Sequence, residues 1–320
     1  MTRGRLLILL SVLLVAAGTW FYRFYFGSTN LAIRHAESFL FRRMSVAQLA
    51  EQGTYRFFYV TNRLPGAADA PPANRFGNER GEALRFGAFD ATIQPSLGLG
   101  MLINPTEWFQ NEEIDLRDVH GLELSQFVTQ VRGLVEESPH RALLVVVHGF
   151  REAYESALRK TAFLGHILDI NAPVVLFDWP GNQGSSLRGY RQARAVAKES
   201  GAELAAALRL LVNEVQPDRL WLLANSMGAQ VVVDASHLLV DDPAFADRET
   251  EIEDIVLTAP DVDRAAFDEV SREELMSLAE HLTVYVSSND RALLVSRLVN
   301  GEARRGESTL SPDQFEEAAR

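Results

Sequence analysis

The sequence predicts an α/β fold with a mostly parallel sheet and helices on both of its faces. Beyond Arg141, short uninterrupted apolar runs alternate with amphipathic stretches, and each run ends at small or polar residues. Apolar residues at every position are typical of strands buried on both faces, as in a parallel sheet. Right-handed crossovers place the carboxyl ends of such strands at one edge, where open α/β sheets bind ligands. The five runs are ALLVVV, PVVLFDW, RLWLLA, DIVLTA and HLTVYV.

The first 26 residues have the charged-then-apolar order of a signal anchor or a signal peptide. Arg3 and Arg5 precede an aliphatic run, and the aromatic cluster WFYRFYF follows it. We expect a retained anchor, because the apolar length approaches the roughly 20 residues that span a bilayer and aromatic residues suit the membrane interface. Cleavage at Val15-Ala16-Ala17 is the alternative. The expected location is therefore the cell membrane, with a single span and the remaining chain outside the cytoplasm.

Residues 27–54 predict a helical stalk, since Leu31, His35 and Phe39 recur at helical spacing. A helix that caps the folded domain is the alternative. The domain itself is expected at residues 55–320. It begins with two strand-like stretches, YRFFYVTNR and RFGAFDATI, rich in aromatic and β-branched residues. The Pro-, Ala- and Gly-rich segment LPGAADAPPANRFGNERG predicts a long loop between them.

One long helix is expected between the second and third apolar runs. Apolar and small residues recur there at steps of three and four from Tyr190 to Leu211, which predicts a single buried stripe.

Composition excludes several kinds of site. The net charge of −12 and the scattered lysines and arginines oppose nucleic-acid binding, which needs a basic stripe. The chain has no cysteine, and it therefore has no disulfide, thiolate metal site or thiol nucleophile. We find no HExxH helix and expect neither a metal nor a cofactor.

The third apolar run leads into ANSMG, a variant of the G-x-S-x-G nucleophile elbow around Ser226. The elbow is a strained turn between a strand and a helix, so the residues two places before and after the serine must be small. Ala224 and Gly228 meet this need. A serine that caps a helix after a strand is the alternative. The buried strand before the motif and the helical run after it favour a nucleophile.

A second motif, VVVHGF, ends the first apolar run. In an α/β-hydrolase, the turn at this place gives one backbone N–H to the oxyanion hole and the residue after the nucleophile gives the other. Phe150 and Met227 hold these positions. His148 lies in the turn itself, which indicates a structural role. The residues expected to border the pocket are His148, Gly149, Trp179 and Tyr190.

The chain resembles the bacterial α/β-hydrolase family of unknown function that is often labelled esterase/lipase superfamily. The segments that carry the resemblance are FYVTNRLP, RFGNERG, VVVHGF, FDWPGNQGS, ANSMGAQVVVDA, LTAPDVDRAAF and VSSNDRALLVS. They cover roughly residues 55–301. The resemblance implies the α/β-hydrolase fold and a nucleophile at Ser226. One departure is Asn225, where the family usually has histidine before the serine.

Two aspartates are candidates for the acid that orients the catalytic base. Asp261 follows the fourth apolar run and Asp290 follows the fifth. In this fold the acid usually follows the seventh strand, which corresponds to the fifth apolar run here, so the resemblance favours Asp290. Asp261 stays the alternative acid.

The base is the difficulty, because the triad order in this fold is serine, acid, histidine. None of the seven histidines follows Asp290, and the segment after Asp290 predicts no further strand. Three interpretations are open. The chain is a truncated hydrolase, or it is a pseudoenzyme that binds a partner or lipid in the cell envelope, or it is a hydrolase whose base is supplied by His120 or by a partner. The expected activity is hydrolysis of a small-molecule or lipid carboxylic ester through an acyl-enzyme. The histidines are His35, His120, His140, His148, His166, His237 and His281.

Overall fold

The computed structural model describes residues 5, 14–17, 44–51, 53–67, 70–71, 74–93, 114–246 and 252–286. They include a sheet of eight strands in the order β3-β2-β1-β5-β4-β6-β7-β8. The strands are β1 (Thr54–Pro65), β2 (Phe76–Ile93), β3 (Ile114–Leu122), β4 (Ala142–Val147), β5 (Val174–Asp178), β6 (Arg219–Asn225), β7 (Ile252–Thr258) and β8 (Ala279–Tyr285). The helices are α1 (Leu124–Glu137), α2 (Tyr154–Leu168), α3 (Leu187–Glu199), α4 (Gly201–Leu210), α5 (Gly228–Leu239), α6 (Pro243–Ala246), α7 (Arg264–Ala266) and α8 (Arg272–Leu278).

All five apolar runs form parallel strands, which confirms the prediction for this part of the sheet. Strands β5, β4, β6, β7 and β8 pair in that order, each parallel to its neighbour. Every residue of β4 and β5 is buried. Because the pairing is parallel and the registers match, the carboxyl ends of these strands meet at one edge of the sheet.

Helices cover both faces of the sheet, as expected. One buried cluster joins the sheet to α1, α3, α4, α5 and α8. The other joins it to α2 and to the segment 44–47. This second cluster includes Met44 and Ala47, both almost completely buried. Residues 44–51 consist of turns and an isolated bridge from Gln48 to Tyr55, whereas the sequence predicts a helix there. This segment therefore packs against the domain.

The N-terminal half of the sheet differs from the prediction. Strand β2 is 18 residues long and begins at Phe76, inside the segment predicted as a loop. It pairs with β1 as far as Pro65, with two irregularities in register near Arg63. Strand β3 follows as a further antiparallel strand that the sequence does not predict. These strands form because they pair with a neighbour, although much of their own surface is polar and exposed.

The long helix predicted from Tyr190 to Leu211 is divided into α3 and α4. Ser200 lies between them, and a short π-helical segment, Leu211–Val215, follows α4. Gly201 faces α5 so closely that a Cβ atom there would lie 2.6 Å from the Cβ of Asp234. The predicted buried stripe is nevertheless present across the break, because the small and apolar residues on this face stay buried in both helices.

The expected N-terminal anchor lies almost entirely outside the described residues. Among the helices that the described ranges contain, none combines the length and the apolar character needed to cross a membrane.

Candidate active site

Ser226 lies in the strained turn that the elbow motif predicts. It follows β6 directly and precedes α5 by two residues, and its φ of 51° is in the left-handed region. For a residue other than glycine, such a backbone costs about 1–3 kcal/mol. The turn is packed tightly: a Cβ atom on Gly228 would lie 2.5 Å from the carbonyl oxygen of His148. Ala224, the other small residue of the motif, is fully buried and pairs with Val147 and Leu257.

Hydrogen bonds to the next strand hold this turn in place. The N–H of Ser226 donates to the carbonyl of Thr258 at 2.9 Å. In return, the N–H of Asp261 donates to the carbonyl of Ser226 at 3.0 Å. The side-chain amide of Asn225 donates to the hydroxyl of Thr258 at 2.9 Å. Asn225 thus ties the elbow to β7.

The two backbone donors expected for an oxyanion hole lie beside the serine. Phe150 is in the turn after β4, and Met227 is the residue before the first turn of α5. Among the described residues, no carbonyl or side chain accepts a hydrogen bond from the N–H of either one. Gly149 lets the turn approach the elbow, since a Cβ atom there would lie 3.1 Å from the Cβ of Ser226. Two N–H groups are therefore available to an anionic oxygen, and one of them is at a helix N-terminus.

His148 is a structural residue, as its place in the turn indicates. Its Nε2 lies 3.0 Å from Oδ1 of Asp178, and its Nδ1 lies 2.9 Å from the carbonyl oxygen of Gly149. The ring stacks on Trp179, whose indole N–H donates to the carbonyl of His148 at 2.8 Å. Because both ring nitrogens already have partners, this imidazole is not available as a general base.

A buried ion pair beneath the oxyanion turn was not predicted from the sequence. Nε of Arg63 donates to Oδ2 of Asp178 at 2.8 Å, and both side chains are fully buried. Thr61 also donates to Oδ2, and Nη2 of Arg63 donates to the carbonyl of Glu152. Burial raises the pKa of Asp178, but Arg63 and His148 outweigh it and leave that pKa below its ordinary value. The only signal in the sequence was an aspartate at the end of an apolar run.

Asp261 is buried next to the elbow and is 4% exposed. Besides its backbone bond to Ser226, its Oδ2 accepts a hydrogen bond from the hydroxyl of Tyr190 at 2.7 Å. The ring of Tyr190 in turn contacts the ring of Phe150. The structure thus brings Tyr190, expected at the pocket border, together with the alternative acid. Asp290 lies outside the described residues, so its prediction is untested.

None of the six described histidines is placed to activate Ser226. His120 lies in β3, five strands from β6, or about 24 Å at the usual spacing of about 4.8 Å, so the reading in which it serves as the base is wrong. His281 pairs with Asp254, four residues before the level of the elbow, and His237 contacts Glu274 in α8. His140 and His166 are at the opposite edge of the sheet, before β4 and at the end of α2. Nor do the described His, Asp and Glu residues form a group of three that could hold a metal ion.

One comparison with known proteins found a match, and it concerns the fold. No curated protein matches the chain. A family model described as an alpha/beta hydrolase of unknown function (DUF900) matches residues 125–320, more than half of the chain. The matched range contains the oxyanion turn, the elbow and both candidate acids. The chain therefore belongs to this alpha/beta-hydrolase family of unknown function.

Proposed function

We propose that the protein is a serine hydrolase that cleaves a small-molecule or lipid carboxylic ester through an acyl-enzyme on Ser226. The observation that carries this proposal is the strained φ of Ser226 beside two backbone N–H groups without acceptors among the described residues. A serine that only caps a helix does not need a left-handed backbone, whereas a nucleophile elbow does.

In the proposed reaction, Oγ of Ser226 attacks the ester carbonyl and loses its proton to a general base. The N–H groups of Phe150 and Met227 stabilise the oxyanion of the tetrahedral intermediate. The base then protonates the leaving alcohol, which departs as the C–O bond breaks. Water repeats the sequence on the acyl-enzyme, which releases the carboxylic acid and restores the serine.

Asp261 is the acid whose geometry supports a role in this reaction. Its side chain is buried, and its backbone N–H bonds to the carbonyl of Ser226, which holds the residue next to the elbow. A buried carboxylate at such a place can orient an imidazole and stabilise the imidazolium. Asp290 is the alternative acid. The base must be a group other than the six described histidines. Without any base, hydrolysis loses orders of magnitude, although the oxyanion hole still gives residual catalysis.

Labelling with a fluorophosphonate probe tests the proposal directly. The full chain is treated with the probe, and the modified residue is identified by mass spectrometry. We expect modification of Ser226 and no labelling in Ser226→Ala, with Ser236→Ala, a buried serine in α5, as the control that labels normally. A folded protein in which Ser226 stays unmodified would refute an active nucleophile. The chain would then fit the alternative expected from its sequence, a protein that binds through this pocket without turnover.

We also propose attachment to the membrane through residues 1–26, with the hydrolase domain outside the cytoplasm. The support is the order of charged, aliphatic and aromatic residues in that segment. Membrane fractionation of the full chain and of a variant that lacks residues 1–26 tests this point. Recovery of the full chain only in the soluble fraction would overturn it.

A further inference from the structure

Tyr190 contacts two parts of the candidate site that lie far apart in the sequence, the oxyanion turn and Asp261. Its hydroxyl donates to Oδ2 of Asp261 at 2.7 Å. Its ring meets the ring of Phe150 edge-on, with the centroids 5.5 Å apart. Asp261 continues the connection, because its N–H donates to the carbonyl of Ser226. The side chain of Tyr190 therefore joins the candidate acid to the oxyanion turn, and the backbone of Asp261 joins the acid to the nucleophile turn.

The start of α3 gives Tyr190 a fixed position. Ser186 caps this helix, and its hydroxyl accepts a hydrogen bond from the N–H of Gly189 at 3.1 Å. Gly189 packs directly on the preceding loop, since a Cβ atom there would lie 2.3 Å from the carbonyl oxygen of Gln183. Tyr190 follows in the same turn, so its backbone cannot shift without disturbing the cap.

We propose that Tyr190 is a positioning residue for the hydrolase reaction, acting through Asp261. This inference rests on the proposed function and on Asp261 as the acid. The hydroxyl fixes the carboxylate plane of Asp261 and thereby the direction in which it can orient the base. Hydrogen bonds to charged groups are shorter and stronger than neutral ones, so this contact restrains the carboxylate more firmly than packing does.

Tyr190→Phe removes the hydroxyl and keeps the ring against Phe150. Its matched control is Tyr59→Phe, which removes another hydroxyl that donates within the protein, to the carbonyl of His120 in the antiparallel part of the sheet. We expect the maximal rate of Ser226 labelling by a fluorophosphonate to fall about tenfold in Tyr190→Phe, the size expected for losing a hydrogen bond to a charged group. The probe concentration that gives half this rate should stay within a factor of two. Tyr59→Phe should change neither quantity.

A double-mutant cycle separates positioning from general loss of structure. Asp261→Asn should lower the labelling rate by about 10³–10⁴-fold, the scale of losing a triad acid. If Tyr190 acts through Asp261, then Tyr190→Phe should change the rate by less than twofold in the Asp261→Asn background. A full tenfold effect in that background would overturn the inference.

The outcomes distinguish this inference from the function on which it rests. A wild-type chain that does not label at Ser226 would refute the proposed function, and this inference with it. A wild-type chain that labels normally, together with an unchanged rate in Tyr190→Phe, would refute only the role of Tyr190.

Discussion

Asp178→Asn is expected to cause a large loss of stability. The carboxylate has no exposed surface and accepts hydrogen bonds from Arg63, Thr61 and His148. Asparagine keeps the volume but removes the charge, so the Arg63 guanidinium stays buried without a counter-ion. Breaking a buried pair in this way costs about 3–5 kcal/mol. We therefore expect a decrease of that size in the free energy of unfolding.

The chain offers a close control in Asp90→Asn. Asp90 also receives two hydrogen bonds from an arginine of β1, Arg56, at 2.8 and 2.9 Å. That arginine side chain is 31% exposed, however, so water can replace the lost charge. The expected loss there is about 1 kcal/mol or less. The two variants differ mainly in burial, which makes their difference a measure of desolvation.

Urea denaturation followed by circular dichroism measures both losses. With an m value of about 2 kcal/mol per molar urea, Asp178→Asn should lower the midpoint by about 2 M and Asp90→Asn by about 0.5 M or less. Equal midpoints for the two variants would refute the claim that burial of the Arg63–Asp178 pair makes it essential. Equal decreases in m would instead indicate a change in the compactness of one of the states.

Three further predictions follow from the same contacts. The pKa of Asp178 is lower in the folded protein than in the unfolded chain. Its contribution to stability is therefore present above the unfolded pKa of about 3.9 and is lost as the pH falls through the folded pKa. The difference in free energy of unfolding between wild type and Asp178→Asn should thus shrink only in acid. Gly228→Ala should abolish labelling of Ser226, because the added Cβ meets the carbonyl of His148. Its control is Gly133→Ala in α1, where the Cβ would have open space; this variant should raise stability by up to about 1 kcal/mol and leave labelling unchanged. Asp290→Asn should leave labelling within about threefold of wild type if Asp261 is the acid, and a loss near 10³-fold on this variant would move the role to Asp290.

The parts of the fold that the sequence predicts are those in which burial alone decides the structure. A strand such as β4 is apolar at all six positions, so its own residues reveal it. Most residues in the first half of strand β2 are exposed or only half-buried, and this half is a strand because it pairs with β1. Strand β3 lies at the outer edge with several exposed residues, and nothing in its pattern distinguishes it from a polar loop. Pairing with a distant segment is not visible in a local pattern.

In the candidate site, too, local motifs are visible in the sequence and contacts between distant residues are not. The motifs around Ser226 and His148 are local, and the structure has a turn after the strand at each place. The buried pair of Arg63 and Asp178 joins residues 115 positions apart, and a lone arginine in a strand gives no indication of its burial. The contact of Tyr190 with Asp261 joins residues 71 positions apart. A sequence can identify Tyr190 as a border residue, but the partner of its hydroxyl depends on how α3 packs.

The register of the last strands explains why both acid candidates are compatible with one site. Ser226 is bonded to Thr258 at the end of β7, and Thr258 pairs with Tyr285 at the end of β8. The chain after Tyr285 therefore leaves the sheet at the same edge as Ser226, two strands away, or about 10 Å. Asp290 follows five residues later, and five residues extend at most about 17 Å. Asp261 lies next to the elbow, because its N–H donates to the carbonyl of Ser226 and its side chain is buried there. Chain length therefore permits an acid at either position, so the order of apolar runs does not choose between them, and the burial of the Asp261 side chain next to the elbow is the physical reason to prefer it.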